Sequence, residues 1–374
     1  MNEKVFSNFR VLDCTTDKIG SLASAYLAMA GMEVIHVDDP EAKRSRGEKY
    51  EFVANNLNKK VVSINYKTPE GLDLLKQLIG KCDVFIENLT FAQIDSMGLT
   101  YDALKGQYPQ LIVVSIKPFA RGSQWQDCPA DSSVIHAMGG ADYITGLDDR
   151  EPMVPGPDLA EMSTCTYAAA GAVAALIQRL DTGKGQSVEI AAQETIIAHS
   201  RSAYEMFHEY GKSARPGNGF AYFREMAPQD LYPTKGDDPN SDWVTIGCPA
   251  DREFENFAKA IGKDYLLEDP KFNKSAARLH NIKELNAIIA EWTSQMTKEE
   301  IADLLLRKSR VMAAPVRTMA QNIQDQDLIN EGILQTVKGP EGEDMWVPTY
   351  PALYQDYKVK VTAPEAVEVE EVLK

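Results

Sequence analysis

Histidine is scarce in this chain: there are five, at positions 36, 136, 199, 208 and 280, in 374 residues. No two are spaced as HExxH, so a helical zinc-hydrolase site is excluded. Cysteine is equally sparse. Cys14, Cys82, Cys128, Cys165 and Cys248 are far apart and odd in number. With no CxxC pair and no Cys/His ligand spacing, neither a disulfide framework nor a metal site is expected, and the five read as buried free thiols of a reducing compartment. Long hydrophobic runs are missing too. The longest, Tyr167 to Ile177, has eleven residues and is mostly Ala, whereas a membrane crossing takes about 20. The opening MNEKVFSNFRVLDC has no basic stretch followed by an apolar core, so no secretory signal is read and a cytoplasmic location without membrane attachment is expected. Positive charge is in deficit, 39 basic against 55 acidic residues for a net −16. That sign argues against a nucleic-acid partner. It leaves room for an anionic small molecule held by a few local Arg and Lys residues and helix N-termini.

The common phosphate and nucleophile signatures are also absent. No GxGxxG separates the first strand from the first helix, where the turn reads Lys18-Ile19-Gly20-Ser21. No GxxxxGK[ST] occurs. TGKGQ (182–186) follows a helix instead of preceding one, and there is no GxSxG elbow.

What is present is an alternation of short apolar runs and helical patterns. Strands are expected at 9–14 (FRVLDC), 33–38 (EVIHVD), 60–65 (KVVSIN), 83–88 (DVFIEN), 111–116 (LIVVSI) and 187–191 (SVEIA). Helices are expected at 18–32, after Thr68-Pro69-Glu70, at 101–107, at 159–180 and at 191–207. The Thr-Pro-Glu triplet is a helix start, a hydroxyl cap followed by Pro at the first position and an acid in the first turn. This alternation predicts an α/β fold with a mostly parallel, doubly wound sheet. Residues 208–242 hold ARPGNG and PTKGDDPNSD, the densest loop punctuation, and mark a boundary. A strand at 243–248 and helical pieces over 250–324 follow, with Thr297-Lys298-Glu299-Glu300 as a capping box.

An ordered series of blocks then points to a family: FRVLDC, LAMAGMEVIHVDDP, NLNKKVVSINYKTPEG, DVFIENL, MGLTYDALKGQYPQLIVVSI, AALIQRLDTGKGQSVEIA, EDPKFNKSAARLHNIKEL and AAPVRT. Over residues 8–350 the chain resembles the class III CoA-transferases, the CaiB/BaiF family. The resemblance implies a large Rossmann-like domain built from both chain ends (1–215 and 321–374), a small inserted α/β domain (225–320), and two subunits interlocked as rings. It also implies an enzyme that moves CoA from an acyl-CoA thioester to a carboxylic acid, with acyl-CoA as substrate and no tightly bound cofactor.

In the family an Asp at the start of the Ala-rich helix, 21 residues before the Thr of TGKG, attacks the thioester. Counting back from Thr182 gives Glu161, and Asp158 is the other acid there. The resemblance further points to Arg44 and Arg46 against the CoA phosphates, and to Asn88, Leu89 and Lys117 along the CoA groove. The chain departs from the family pattern in several places. Cys165 stands where Gly is usual, Thr90-Phe91-Ala92 replaces RPG, Ser96 replaces an Arg, and MAPQD (226–230) stands where some members carry a glycine loop. Two other readings remain open. A non-catalytic partner of a paralogous subunit fits these departures. An α-methylacyl-CoA racemase would need a His where Ala130 precedes Asp131.

Overall fold

The computed structural model describes residues 5–146, 150–156, 158–211, 213, 226–352, 354–355 and 357–374. They fall into two compact units. The first comprises Met1–Gly140, Pro155–His199 and Asp325–Lys374, the second Ala141–Val154 and Ser200–Gln324.

The first unit is built on seven parallel strands: β1 (Arg10–Cys14), β2 (Glu33–Asp38), β3 (Lys60–Ser63), β4 (Val84–Glu87), β5 (Ile112–Lys117), β6 (Ser187–Ala191) and a short edge strand formed by Glu365–Ala366. From that edge the order runs edge-β3-β2-β1-β4-β5-β6. The chain steps outward from β1 to β3, then returns to β4 on the other side of β1. The carboxyl ends of β1 and β4 therefore bracket the switch point, where open α/β sheets leave a crevice for ligands. β1, β2, β4 and β5 are short and buried on both faces, which is why they appear in the sequence as near-continuous apolar runs. Leu12, Ile35, Val62, Phe85 and Val113 pack one face against Leu75, Leu78 and Ile79. Val11, Val34, Val84, Ile112 and Val114 pack the other against Ala23, Leu27, Ala168, Ala172 and Ala175.

The helices that matter for the site are α1 (Lys18–Met29), α2 (Arg46–Asn55), α3 (Pro69–Ile79), α4 (Phe91–Ser96), α5 (Tyr101–Leu104), α6 (Ser132–Gly139) and α7 (Leu159–Thr182). Thr68 caps α3 through Gly71 N–H at 3.1 Å, with Pro69 at its first position. Helix α7 is a single 24-residue helix. By length and composition it is apolar enough to cross a membrane, but its Ala face is a core face packed on the sheet. Gly171 makes that packing close: a Cβ there would lie 2.9 Å from Val188 Cγ1.

Two expectations change. The single helix read over 191–207 is two, Ala192–His199 and Arg201–Tyr210. And α2, α4 and α6, which the sequence pattern did not show, are real elements. Each starts on a polar cap: Ser45 and Thr90 form capping boxes, and Asp131 accepts from Val134 N–H at 3.1 Å. They are only 10, 6 and 8 residues long, too short for a helical period to stand out in the sequence.

The second unit carries a three-stranded antiparallel sheet, Gln229–Pro233, Trp243–Gly247 and Met312–Pro315. Tyr232, Val244, Ile246, Phe254, Phe257 and Leu285 form its core. Thr297 closes the anticipated capping box with Glu300.

Candidate active site

Two adjoining clefts open at the switch point. The larger, ≈ 880 Å³, is lined by Lys18, His36, Arg44, Phe52 and Glu161 among others. The smaller, ≈ 560 Å³, is mostly apolar and includes Phe91, Ile116, Lys117, Cys128 and Ile135. They share Asp17, Asn88, Leu89 and Thr90, the residues just beyond β1 and β4. The expectation of five buried thiols holds for Cys14, Cys165 and Cys248; Cys82 is half-buried, and Cys128 is exposed. Cys128 lies at the mouth of the smaller cleft, beyond β5.

Two acid–lysine pairs lie at the carboxyl ends of the strands, and both are saturated. Asp13 accepts from Thr15 N–H (3.0 Å), Thr15 Oγ1 (2.6 Å), Ser24 Oγ (2.6 Å), His36 Nδ1 (3.0 Å) and Lys59 Nζ (2.8 Å). Lys59 spends its other protons on Ser21 O and Asn56 Oδ1. Burial pushes the Asp13 carboxyl up, but Lys59 and His36 outweigh it and hold it far below the usual carboxylate range. In the second pair, Lys117 Nζ donates to both Glu87 oxygens at 2.8 and 2.7 Å and to Leu89 O. Glu87 Oε2 in turn accepts from Leu89 N–H at 2.8 Å. Burial lowers the Lys117 ammonium and the Glu87 charge opposes this, leaving a net downward shift. Lys117 thus clamps the Asn88–Leu89 turn. Asn88 Oδ1 accepts from Thr16 N–H at 2.9 Å and ties that turn to the end of β1.

The two arginines named together from sequence part company. Arg44 lines the larger cleft, forked onto Asp38 and stacked 4.1 Å over the Phe52 ring. Arg46 begins α2, is 72% exposed, pairs with Glu341 at 2.8 Å and lines neither cleft. The two-residue step from a loop to a helix turns it away.

The start of α7 is arranged differently. Asp158 occupies the N-cap at φ 75°, ψ 2°, a left-handed conformation, and its side chain makes no cap hydrogen bond. It pairs instead with Lys18, the first residue of α1. The helix is capped from outside: His136 Nε2 accepts from Ala160 N–H at 3.0 Å. An accepting Nε2 puts the ring proton on Nδ1, which is buried without a partner. One turn earlier on the same α6, Ser132 Oγ donates to Glu161 Oε1. Glu161 Oε2 is buried and accepts nothing. The structure therefore brings Glu161, Asn88, Leu89 and Arg44 to one pair of clefts, with Lys117 beside Asn88 and Leu89; Asp158 lines neither cleft and reaches the site only through its pair with Lys18. It adds Lys18, Ser132 and His136, which sequence reasoning missed. A Ser-x-x-x-His spacing on a recognised helix would have been the signal, but the helix itself was not apparent. Among the described residues no group of three or more His, Cys, Asp or Glu side chains is placed to hold a metal ion.

Residues 6–366 match the model of CoA-transferase family III. The chain belongs to this family. A formyl-CoA:oxalate CoA-transferase of Streptomyces coelicolor is 28% identical over 97% of this chain and 92% of its own. A succinyl-CoA–D-citramalate CoA-transferase of Chloroflexus aurantiacus is 30% identical over 89% and 83%. The crystal structure of a CaiB/BaiF family protein from Brucella suis superposes with a TM-score of 0.84 at 27% identity, over 100% of this chain and 98% of that one. As a family III member the chain is an α/β CoA-transferase whose substrates are CoA thioesters. Its Asp131, beside the Ala130 that displaces the racemase His, serves as the cap of α6.

Proposed function

We propose that this protein transfers CoA from an acyl-CoA to a second carboxylic acid, with Glu161 as the covalent nucleophile. The observation that carries the assignment is the Glu161 carboxylate itself. Ser132 holds Oε1, while Oε2 is desolvated and unpaired. A buried carboxylate oxygen with no donor is costly, and that cost is recovered when the oxygen attacks carbon. Asp158 is the weaker candidate because its carboxylate is engaged by Lys18.

The steps balance without ATP. A Glu161 oxygen attacks the acyl carbon, the C–S bond breaks and CoA leaves as thiolate, giving a mixed anhydride. The thiolate attacks the Glu161 carbonyl carbon. The first acid departs as carboxylate, and a Glu161–CoA thioester remains. The second acid attacks that carbonyl and expels thiolate. The thiolate then attacks the second acid's acyl carbon, forming the new thioester and freeing Glu161. Each intermediate hydrolyses in water, so the burial of Glu161 Oε2 protects the acyl group.

Asn88 and Leu89, shared by both clefts, are suited to guide the pantetheine. Arg44 is suited to the phosphates, where charge-assisted forks are strongest; Arg46 would serve only if it left Glu341. The same reading has the enzyme act in the cytoplasm as an interlocked homodimer. Met162, Tyr167, Ile177 and Leu180 leave an apolar face of α7 exposed, as an oligomer contact would require. The test is the purified enzyme with succinyl-CoA and other short acyl-CoAs, quenched with hydroxylamine and mapped by mass spectrometry. A hydroxamate on Glu161 is the expected result. No adduct on any carboxylate, with exchange restored by a paralogous subunit, would instead establish a non-catalytic partner.

A further inference from the structure

Three features at the start of α7 share one consequence. An N-cap Asp ordinarily accepts from a first-turn N–H, yet Asp158 does not. Its backbone sits in a left-handed conformation uncommon for a residue with a side chain. The cap is supplied by His136. With the cap delegated, the Asp158 carboxylate is free to hold Lys18, and Lys18 lines the larger cleft together with Glu161. Burial lowers the Lys18 ammonium, but the Asp158 pair outweighs it, with Glu161 and Glu51 adding to the upward shift. Unlike Lys59 and Lys117, this pair is open to solvent, 31% and 44% exposed, so its partner can be exchanged.

We infer that Lys18 is the receptor for the free carboxylate of the acid that enters and leaves the site, and that Asp158 occupies it between turnovers. The inference rests on Glu161 being the acylated group. At rest, Glu161 and Asp158 are negative and Lys18 is positive. Acylation, or thioester formation with CoA, neutralises Glu161. An incoming carboxylate then restores the resting charge as it displaces Asp158 from Lys18. While one of its oxygens attacks the Glu161 carbonyl carbon and thiolate leaves, Lys18 holds the other oxygen. No proton moves. The chemical class selected is an acid presented as its anion, and Lys18 sets its affinity more than that of the acyl-CoA.

The test is the full-length protein with its lysines ¹³C-dimethylated, which keeps their charge, observed by NMR. The Lys18 signal is assigned by its loss in K18R. Acetate, oxalate, succinate and citramalate are titrated in. At least one acid is expected to shift the Lys18 signal saturably. Glu161→Gln, neutral like the acylated state, and Asp158→Asn, which removes the competitor and tolerates the left-handed conformation, should each tighten that acid about tenfold. The proposal is overturned if no acid moves the signal, or if both variants bind no tighter than wild type. Hydroxylamine trapping separates the two readings. Acid binding at Lys18 without a Glu161 adduct sinks the nucleophile alone, and an adduct without acid binding sinks the receptor alone.

Discussion

Within a few residues of one sheet edge the protein carries acids beside lysines in two opposite states. Asp13 with Lys59 and Glu87 with Lys117 are buried, and every proton of either ammonium is spent. At the start of α7, Asp158 and Lys18 are half-open, and Glu161 keeps one oxygen without a donor. The first arrangement holds β1, β2 and β4 at the switch point and has nothing left to offer a ligand. The second leaves one carboxylate oxygen unpaired and one ion pair open to solvent, and on the proposed function substrate completes it. On the proposed function, saturation separates structural pairs from reacting ones better than charge or burial does, since all the residues are charged and most are buried.

The sharpest way to break the comparison is Glu161→Gln. Exchange should fall by at least about 10³-fold and the hydroxamate should vanish, because a covalent route is removed. The unfolding midpoint should hold, since Glu161 accepts only one hydrogen bond. Glu161→Asp keeps the carboxylate but withdraws it by more than an ångström and should lose about 10²-fold. If instead the Glu161 variants keep activity and Asp158→Asn loses the adduct, the two acids exchange roles.

The saturated pairs should answer oppositely. Lys59→Met leaves Asp13 buried and charged and should cost about 3–5 kcal/mol in urea unfolding. The Asp13 carboxyl is held below its ordinary value in the folded state, so its stabilisation is present above the unfolded value and lost on acidification. The advantage of wild type over Asp13→Asn should therefore shrink as pH falls below about 4. An advantage unchanged down to the acid limit of folding would show that Asp13 is not held by its charge partners.

These contrasts were only partly legible in the sequence. β1, β2, β4 and β5 were readable because strands buried on both faces of a parallel sheet demand apolar runs, whereas β6 was readable from the alternation of SVEIA. α3 was readable because Thr68-Pro69-Glu70 carries its own start signal. Glu161 was reached by counting back from Thr182, and both residues lie on the one unbroken helix α7. Nothing local, however, marks Lys18 as a partner 140 residues from Asp158, or Ser132 as one 29 residues from Glu161. Both depend on the fold closing. Arg44 and Arg46 show the converse: the family resemblance gave them a shared role, and the loop-to-helix step gave them different neighbours.

Ser132 offers a finer test on the unsaturated side. Ser132→Ala removes a hydrogen bond to a charged acceptor, a contact ordinarily worth about 1.5–3 kcal/mol. Exchange should fall about 10- to 100-fold through kcat with little change in KM for acyl-CoA, and Ser132→Thr should restore part of it. A fall confined to KM would mean that the hydroxyl serves substrate binding and not the nucleophile.

The smallest expected effect belongs to His136. Its Nε2 replaces the cap that Asp158 withholds, so His136→Ala should cost about 1 kcal/mol, the usual worth of an N-cap. Rate should drop only a few-fold, because the first turn of α7 keeps its later hydrogen bonds while Glu161 gains freedom within it. An accepting Nε2 requires neutral imidazole with the proton on Nδ1, which ¹⁵N chemical shifts report directly. If the shifts show the Nε2–H tautomer, Ala160 N–H has no acceptor there. The uncapped Asp158 would then be a strained start to α7 with no external support, and the division of labour between cap and ion pair would fall with it.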